Sequence, residues 1–333
     1  MFELSFIWAG IIAFAVLTYV ILDGFDLGVG ILFPFAKGER DRATMMNSVA
    51  PIWDGNETWL VLGGGGLFAV FPLAYAVIMP ALYMPIILML LALIFRGVAF
   101  EYRWRTERWK PVWDVAFAGG SLVAAFMQGI ALGALVQGIE VADRAYAGGW
   151  WDWLSVFSIL TGFAVVIGYA LLGATWIILK TEGSLQRQMQ NYAWWLGAGT
   201  LGFIGIVSIL TPFQDPEYFR LWFNLPGSIF SVLMPGAVAA TAWALFSGLN
   251  AGKDGQPFFA ALSLFVLSFI GIGVSFYPNI VPPNLTIVAA AAPDESLLFA
   301  LVGTVVLVPL ILIYTGYAYW VFRGKIDPEE GYH

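Results

Sequence analysis

Long apolar runs, broken by short polar clusters, recur along the whole chain. A membrane-crossing helix needs about 20 mostly apolar residues. Runs of that kind predict nine spans, at about 5–35, 50–74, 78–100, 113–137, 153–180, 193–212, 222–247, 257–279 and 297–322. The first is longer than a crossing requires, so it tilts, kinks or continues past the bilayer. The second and third are divided by Phe71-Pro72-Leu73-Ala74-Tyr75, so the turn between them is short. No polar stretch is long enough for a domain outside the membrane; the longest loops on the side of the N-terminus are 138–152 and 280–296. The fold class is all-α integral membrane, one polytopic domain over 1–333, with no clear internal repeat.

Composition agrees. Hydrophobic residues make up 60% of the 333 and charged ones 11%, whereas soluble domains are about 25% charged. The net charge of -7 adds little, because position along the chain matters more than the sum. Lys37, Arg40, Arg42, Arg103, Arg105, Arg108, Lys110, Lys180, Arg187, Lys253, Arg323 and Lys325 fall in loops on one side, and only Arg144 and Arg220 on the other. Arg96 lies inside a span. The positive-inside rule places the N-terminus outside and the C-terminus in the cytoplasm, which requires an odd number of crossings. The N-terminus has no basic segment and no cleavage site, so the first span is expected to be retained. There are no cysteines, which excludes disulfides and thiolate metal sites. The sole histidine is the last residue, His333, so the chain is a poor binder of haem or copper by itself.

Several acidic residues interrupt this apolar background. Asp23 and Asp26, in ILDGFDLGVG, lie three apart on one face of the first span. Asp54 and Glu57, in PIWDGNETW, are also three apart and open the second span. The third ends in Arg96-Gly97-Val98-Ala99-Phe100-Glu101-Tyr102-Arg103. Three helices thus bring Asp23, Asp26, Asp54, Glu57, Arg96 and Glu101 to the cytoplasmic third of the membrane. Ionisable groups there cost roughly 2.5–3.5 kcal/mol each on insertion scales and mark function. Burial raises a carboxyl pKa and a nearby Arg lowers it again, so such a set suits a proton relay. The competing reading is structural: helix caps at Asp54, or ion pairs at Glu101 and Arg103. Trp53, Trp59 and Asn56 surround Asp54, and Gly24 and Gly28 form a small-xxx-small pair that favours close approach of another helix.

Other patterns carry less. GAGTLG at 197–202 matches GxGxxG but follows no strand, so it reads as helix packing. Gly63-Gly64-Gly65-Gly66 permits tight packing or a local break. Trp150, Trp151 and Trp153 read as an interfacial belt. Gln128 is polar near mid-membrane and has a neighbouring helix as its expected partner.

ILDGFDLGVG at 21–30, NSVAPIWDGNETWLVLGGGGLFAVFP at 47–72, FRGVAFEYR at 95–103 and VPLILIYTGYAYWVFRGKI at 308–326 together resemble subunit II of cytochrome bd-type quinol oxidases. The compact length is similar to that of the short, cyanide-insensitive-oxidase-like members. The resemblance implies two four-helix bundles and one peripheral helix in the bacterial inner membrane. It implies a haem-free subunit of an electrogenic, non-pumping terminal oxidase that reduces oxygen to water. Two b haems and one d haem would sit in the partner, subunit I; a small single-span subunit often joins, and membrane lipid and quinol are the other partners. No nucleic-acid partner is expected. The resemblance also implies a proton path along the subunit interface that includes Asp54 and Glu101; the clustering of acids on the first two spans adds Asp23, Asp26 and Glu57 to it. Arg96, Arg103, Trp53 and Asn56 are the charge and structural partners. Some relatives hold a quinone or lipid within this subunit. The stretch 284–291 lacks the Trp-Asp pair of many relatives, which removes an outer-face polar contact. The alternative of another class is a proton-coupled secondary transporter, against which stands the lack of an inverted repeat.

Overall fold

The computed structural model describes residues 3–225 and 227–326; His333 lies outside them. Its helices are α1 (Leu4–Leu32), α2 (Glu39–Asn47), α3 (Trp53–Val70), α4 (Pro72–Ala81), α5 (Tyr83–Tyr102), α6 (Lys110–Gln137), α7 (Val156–Lys180), α8 (Gly183–Leu210), α9 (Pro216–Phe223), α10 (Gly227–Asn250), α11 (Gly255–Phe276), α12 (Ile287–Ala290) and α13 (Asp294–Val321). Two short hairpins, Val141–Ala142 with Ala145–Tyr146 and Asn279–Val281 with Leu285–Thr286, shape the loops at one end.

Proline and capping chemistry explain the breaks. Pro34 converts the end of α1 into a 3-10 turn over Phe33–Phe35. Phe71 precedes Pro72 and leaves the helical region, at φ -129 and ψ 60, because the proline ring crowds the residue before it. A second break at Leu82 separates α4 from α5, so the helix over the third predicted span starts at Tyr83 and 78–81 belong to α4. A Ser155–Ser158 capping box opens α7 by satisfying N–H groups that have no partner within the helix. α8 begins ten residues ahead of its predicted span. Its polar first turns are anchored by Gln188, which donates to the Phe35 carbonyl at 2.8 Å.

Eight helices among the described residues are long and apolar enough to cross a membrane: α1, α5, α6, α7, α8, α10, α11 and α13, taken with their short 3-10 extensions. The expected count was nine. The helix over the second predicted span, α3, has 18 residues, but its first two turns are polar and four glycines fill its middle, which lowers its mean hydropathy. It runs unbroken through Gly63–Gly66.

Among the first helices, α1 packs on α3 and α6, and α5 on α6. Among the later ones, α7 packs on α8 and α11, and α10 on α8 and α11; α13 touches α1 and α3. The two groups of four are welded where α7 meets α1 and α6. Gly28 on α1 faces α7 so closely that a Cβ there would fall on the Tyr169 carbonyl and the Gly173 amide. Two backbones meet at this seam, and a side chain would force them apart. The core is densest along it: Phe25, Leu27, Leu171, Leu172 and Ile177 are all buried. α10 and α13 are mostly exposed.

Candidate functional site

The densest buried charge lies near the end of the bundle that carries most of the basic loops. Gly24 and Gly28 turn one face of α1 to α7, and Asp23 and Asp26 lie on another face, toward α3 and α5, both with zero exposure. α3 packs beside α1 and contributes Asn56 and Glu57. The fifth member comes from α5. Gly120 on α6 lies directly against Ala92 and Arg96, so α5 approaches closely and the Arg96 side chain reaches inward, also with zero exposure.

Arg96 is the hub. Its Nη1 donates to Glu57 Oε1 at 2.6 Å and lies 3.2 Å from Asp23 Oδ1; its Nη2 is 3.9 Å from Asp26 Oδ2. Asn56 Nδ2 donates to Asp26 Oδ2 at 2.7 Å, and Asn56 Oδ1 accepts from the Tyr319 hydroxyl of α13 at 2.9 Å. Trp53 stacks on Phe100 at 4.8 Å, and that ring lies 5.7 Å from the guanidinium carbon. Glu57 is 23% exposed, so it is the member that opens outward. A buried pair of opposite charges loses much hydration; here three carboxylates share one guanidinium.

A hydrogen-bonded arm leads from this cluster into the bundle. The Tyr169 hydroxyl donates to Gln128 Oε1 at 2.8 Å, and Gln128 Nε2 donates to the Tyr19 hydroxyl at 2.8 Å. Tyr19 in turn faces Asp23. Gln128 thus serves two tyrosines on two neighbouring helices.

The other expected residues lie elsewhere. The Asp54 side chain is exposed and forms no ion pair among the described residues, although it is close enough to act on Glu57 through its charge. The Glu101 side chain is 66% exposed and pairs with Arg105 at 3.4 Å. The structure therefore brings together Asp23, Asp26, Glu57, Arg96 and Asn56, and leaves Asp54 and Glu101 on the surface. Arg103 belongs to a different network. It is fully buried, with Nε 2.5 Å from Asp114 Oδ1 and Nη2 2.9 Å from Glu39. Lys110 reaches the same Glu39 at 2.8 Å, and Arg42 reaches Asp114 at 3.2 Å. Partial burial pushes the Glu39 carboxyl up, but Lys110 and Arg103 outweigh it and hold the group below its ordinary range.

Tyr19, Tyr169, Tyr319, Glu39 and Asp114 were missed from the sequence. For Tyr19 a signal existed, since it lies four residues before Asp23 on the same helix face. Nothing local marks Tyr169 or Tyr319. Among the described residues no group of three or more His, Cys, Asp or Glu is arranged to hold a metal ion.

Comparison with known proteins gives a consistent result. Residues 4–322 match the family model described as cytochrome bd terminal oxidase subunit II. The chain is 30% identical to cytochrome bd-I ubiquinol oxidase subunit 2 of Escherichia coli strain K12, across 98% of this chain and 96% of that one. It is 29% identical to cytochrome bd ubiquinol oxidase subunit 2 of Bacillus subtilis strain 168, across 99% of both. Its fold is similar to that of a chain of the bd oxidase from Geobacillus thermodenitrificans, with a TM-score of 0.78 over 96% of this chain and 98% of that one, at 16% identity.

Proposed function

The chain belongs to the cytochrome bd terminal oxidase subunit II family, and from that premise we propose that it is the haem-free subunit of a quinol:oxygen oxidoreductase of the bacterial inner membrane. It supports subunit I, which carries two b haems and one d haem, and it contributes to proton uptake from the cytoplasm for the reduction of oxygen to water. The oxidase is electrogenic without pumping. Membrane lipid, quinol and a small single-span subunit are the remaining partners, with a quinone or lipid as a further ligand of the subunit. The family match sets aside the transporter alternative.

In this reading α3 is the ninth crossing, and the charge asymmetry puts the N-terminus outside. The observation that carries the proton role is the placement of Asp54, Glu57 and Arg96. Asp54 is exposed on α3, where a partner subunit or cytoplasmic water can reach it. Glu57 lies one helical turn further in and bonds the buried Arg96. Carboxylates stepping from surface to interior can exchange protons, whereas Arg96 stays charged and holds the neighbouring groups in place. Glu101 at the end of α5 is a second surface carboxylate on this route.

The test begins with the tagged chain purified from its own membranes in mild detergent. A reduced-minus-oxidised spectrum with a d-type haem band, and a co-purifying large subunit, is expected. A colourless chain without a haem-bearing partner refutes the proposal. In the assembled complex, Asp54→Asn should cut oxygen consumption at unchanged haem content. Normal turnover in that variant removes Asp54 from the path, and loss of haem assigns it to assembly.

A further inference from the structure

Three carboxylates and one guanidinium share the cluster. With all four ionised it would carry a net charge of -2, in a region where Asp23, Asp26 and Arg96 have zero exposure. Isolated buried charges are strongly disfavoured, and such groups tend to neutralise instead. Among the described residues, the groups facing the cluster add no second cation. They are Tyr19 on α1, Asp54 and Asn56 on α3, Gln128 on α6, Tyr169 on α7 and Tyr319 on α13.

The hydrogen bonds locate the imbalance. Both Asp23 oxygens and Asp26 Oδ1 are buried and accept no well-aligned hydrogen bond, but Asp23 has Arg96 Nη1 at 3.2 Å and the Tyr19 hydroxyl facing it. An ionised carboxylate only accepts, while a protonated one also donates. Arg96 Nη2 and Asn56 both approach Asp26 through Oδ2, so Asp26 Oδ1 is the buried carboxylate oxygen of the cluster that remains for a proton. Distance from the guanidinium selects the same residue. Glu57 and Asp23 lie 2.6 and 3.2 Å from Nη1, and Asp26 lies 3.9 Å from Nη2.

Two side-chain chains hold this arrangement. Tyr169 donates to Gln128 and Gln128 to Tyr19, so the Tyr19 proton is left to face Asp23 and favours its anion. Tyr319 donates to Asn56 Oδ1, which turns the Asn56 amide so that Nδ2 meets Asp26 Oδ2 and leaves Oδ1 for the proton. We infer that Asp26 stores a proton at neutral pH, with Asp23 and Glu57 as the ionised pair around Arg96 and Asn56 and Tyr319 as positioning residues. The remaining negative charge falls on Glu57, the member open to the exterior. The inference deepens the relay reading and takes its functional meaning from it.

The assembled complex, carrying carboxyl-labelled aspartate, tests this by infrared spectroscopy at neutral pH. Wild type should show the carbonyl stretch of a neutral aspartic acid. Asp26→Asn should remove that band and Asp23→Asn should keep it. Tyr319→Phe leaves every carboxylate in place and should shift the band, which keeps the test decisive if Asp26→Asn fails to assemble. Absence of the band from wild type overturns the inference, as does its loss in Asp23→Asn with retention in Asp26→Asn. Carboxylate bands that respond to sodium, with no neutral acid, would put a cation where the proton is assigned and also overturn it. Oxygen consumption separates the two readings. Unchanged turnover in Asp26→Asn with the band lost keeps the stored proton and removes Asp26 from the relay; reduced turnover with no band in wild type does the reverse.

Discussion

Arg96 is a cation surrounded by acids, and its removal would leave Asp23 as an uncompensated buried carboxylate. Breaking a buried ionic group in this way costs about 3–5 kcal/mol. Arg96→Met is therefore expected to lower the thermal midpoint and the yield of assembled complex sharply. Arg96→Lys keeps the charge but replaces a planar fork with a compact ammonium, so its midpoint should fall between the two. Glu101 behaves differently. Its exposed pair with Arg105, four residues on, is worth about 0.3–0.5 kcal/mol, so Glu101→Gln should leave the thermal midpoint almost unchanged. A fall in oxygen consumption in that variant would then report on proton uptake and not on stability.

At the scale of elements, the α1/α7 seam and the α2 contacts make separate demands. Gly28 meets backbone and not a movable side chain, so Gly28→Ala should separate α1 from α7, at a cost of about 1–3 kcal/mol or more. Thermal unfolding of the complex measures this, and Gly64→Ala is the control, because nothing lies within 4 Å of a Cβ built at Gly64. α2 is held to the turn after α5 and to α6 through Glu39, whose carboxyl is kept below its ordinary range by Lys110 and Arg103. A group lowered by folding contributes stability above its unfolded pKa, and that contribution is lost as the pH falls through the folded value. The wild-type thermal midpoint should fall on acidification below about 4.5, the ordinary Glu range, and Glu39→Gln should flatten that part of the profile. Glu39 is half exposed, so solvent screening keeps the effect small.

For the whole molecule the first question is orientation. The natural chain has no cysteine, so single introduced cysteines report accessibility without background. Arg144→Cys should react with an impermeant thiol reagent added outside intact cells, and Arg105→Cys only after permeabilisation. The reverse pattern would invert the topology read from the charges. The helical architecture was legible because a bilayer imposes one requirement on every crossing, which is about 20 apolar residues with internally satisfied backbone. α3, within the predicted span 50–74, is not among the eight helices apolar enough to cross, because the residues of its first turns serve the charged cluster and are polar. The break at Leu82 was invisible because Pro85 can be accommodated in the first turn of α5.

The sequence by itself determined the membrane class, the order of the spans, the charge asymmetry and the pairs Asp23/Asp26 and Asp54/Glu57, because composition and helical spacing are local properties. It also placed Arg96 inside a span. Only the tertiary structure decided which acids meet Arg96. Asp23, Asp26 and Glu57 converge on it, while Asp54 and Glu101 face outward, because the rotation of each helix about its axis is set by packing against its neighbours. The same packing recruits Tyr169 from α7 and Tyr319 from α13, more than 140 and 290 positions from Asp23 and Asp26 along the chain. Separations of that size carry no local signal, and the contacts exist only because close backbone approach at Gly28 and Gly120 draws α7, α1, α6 and α5 together.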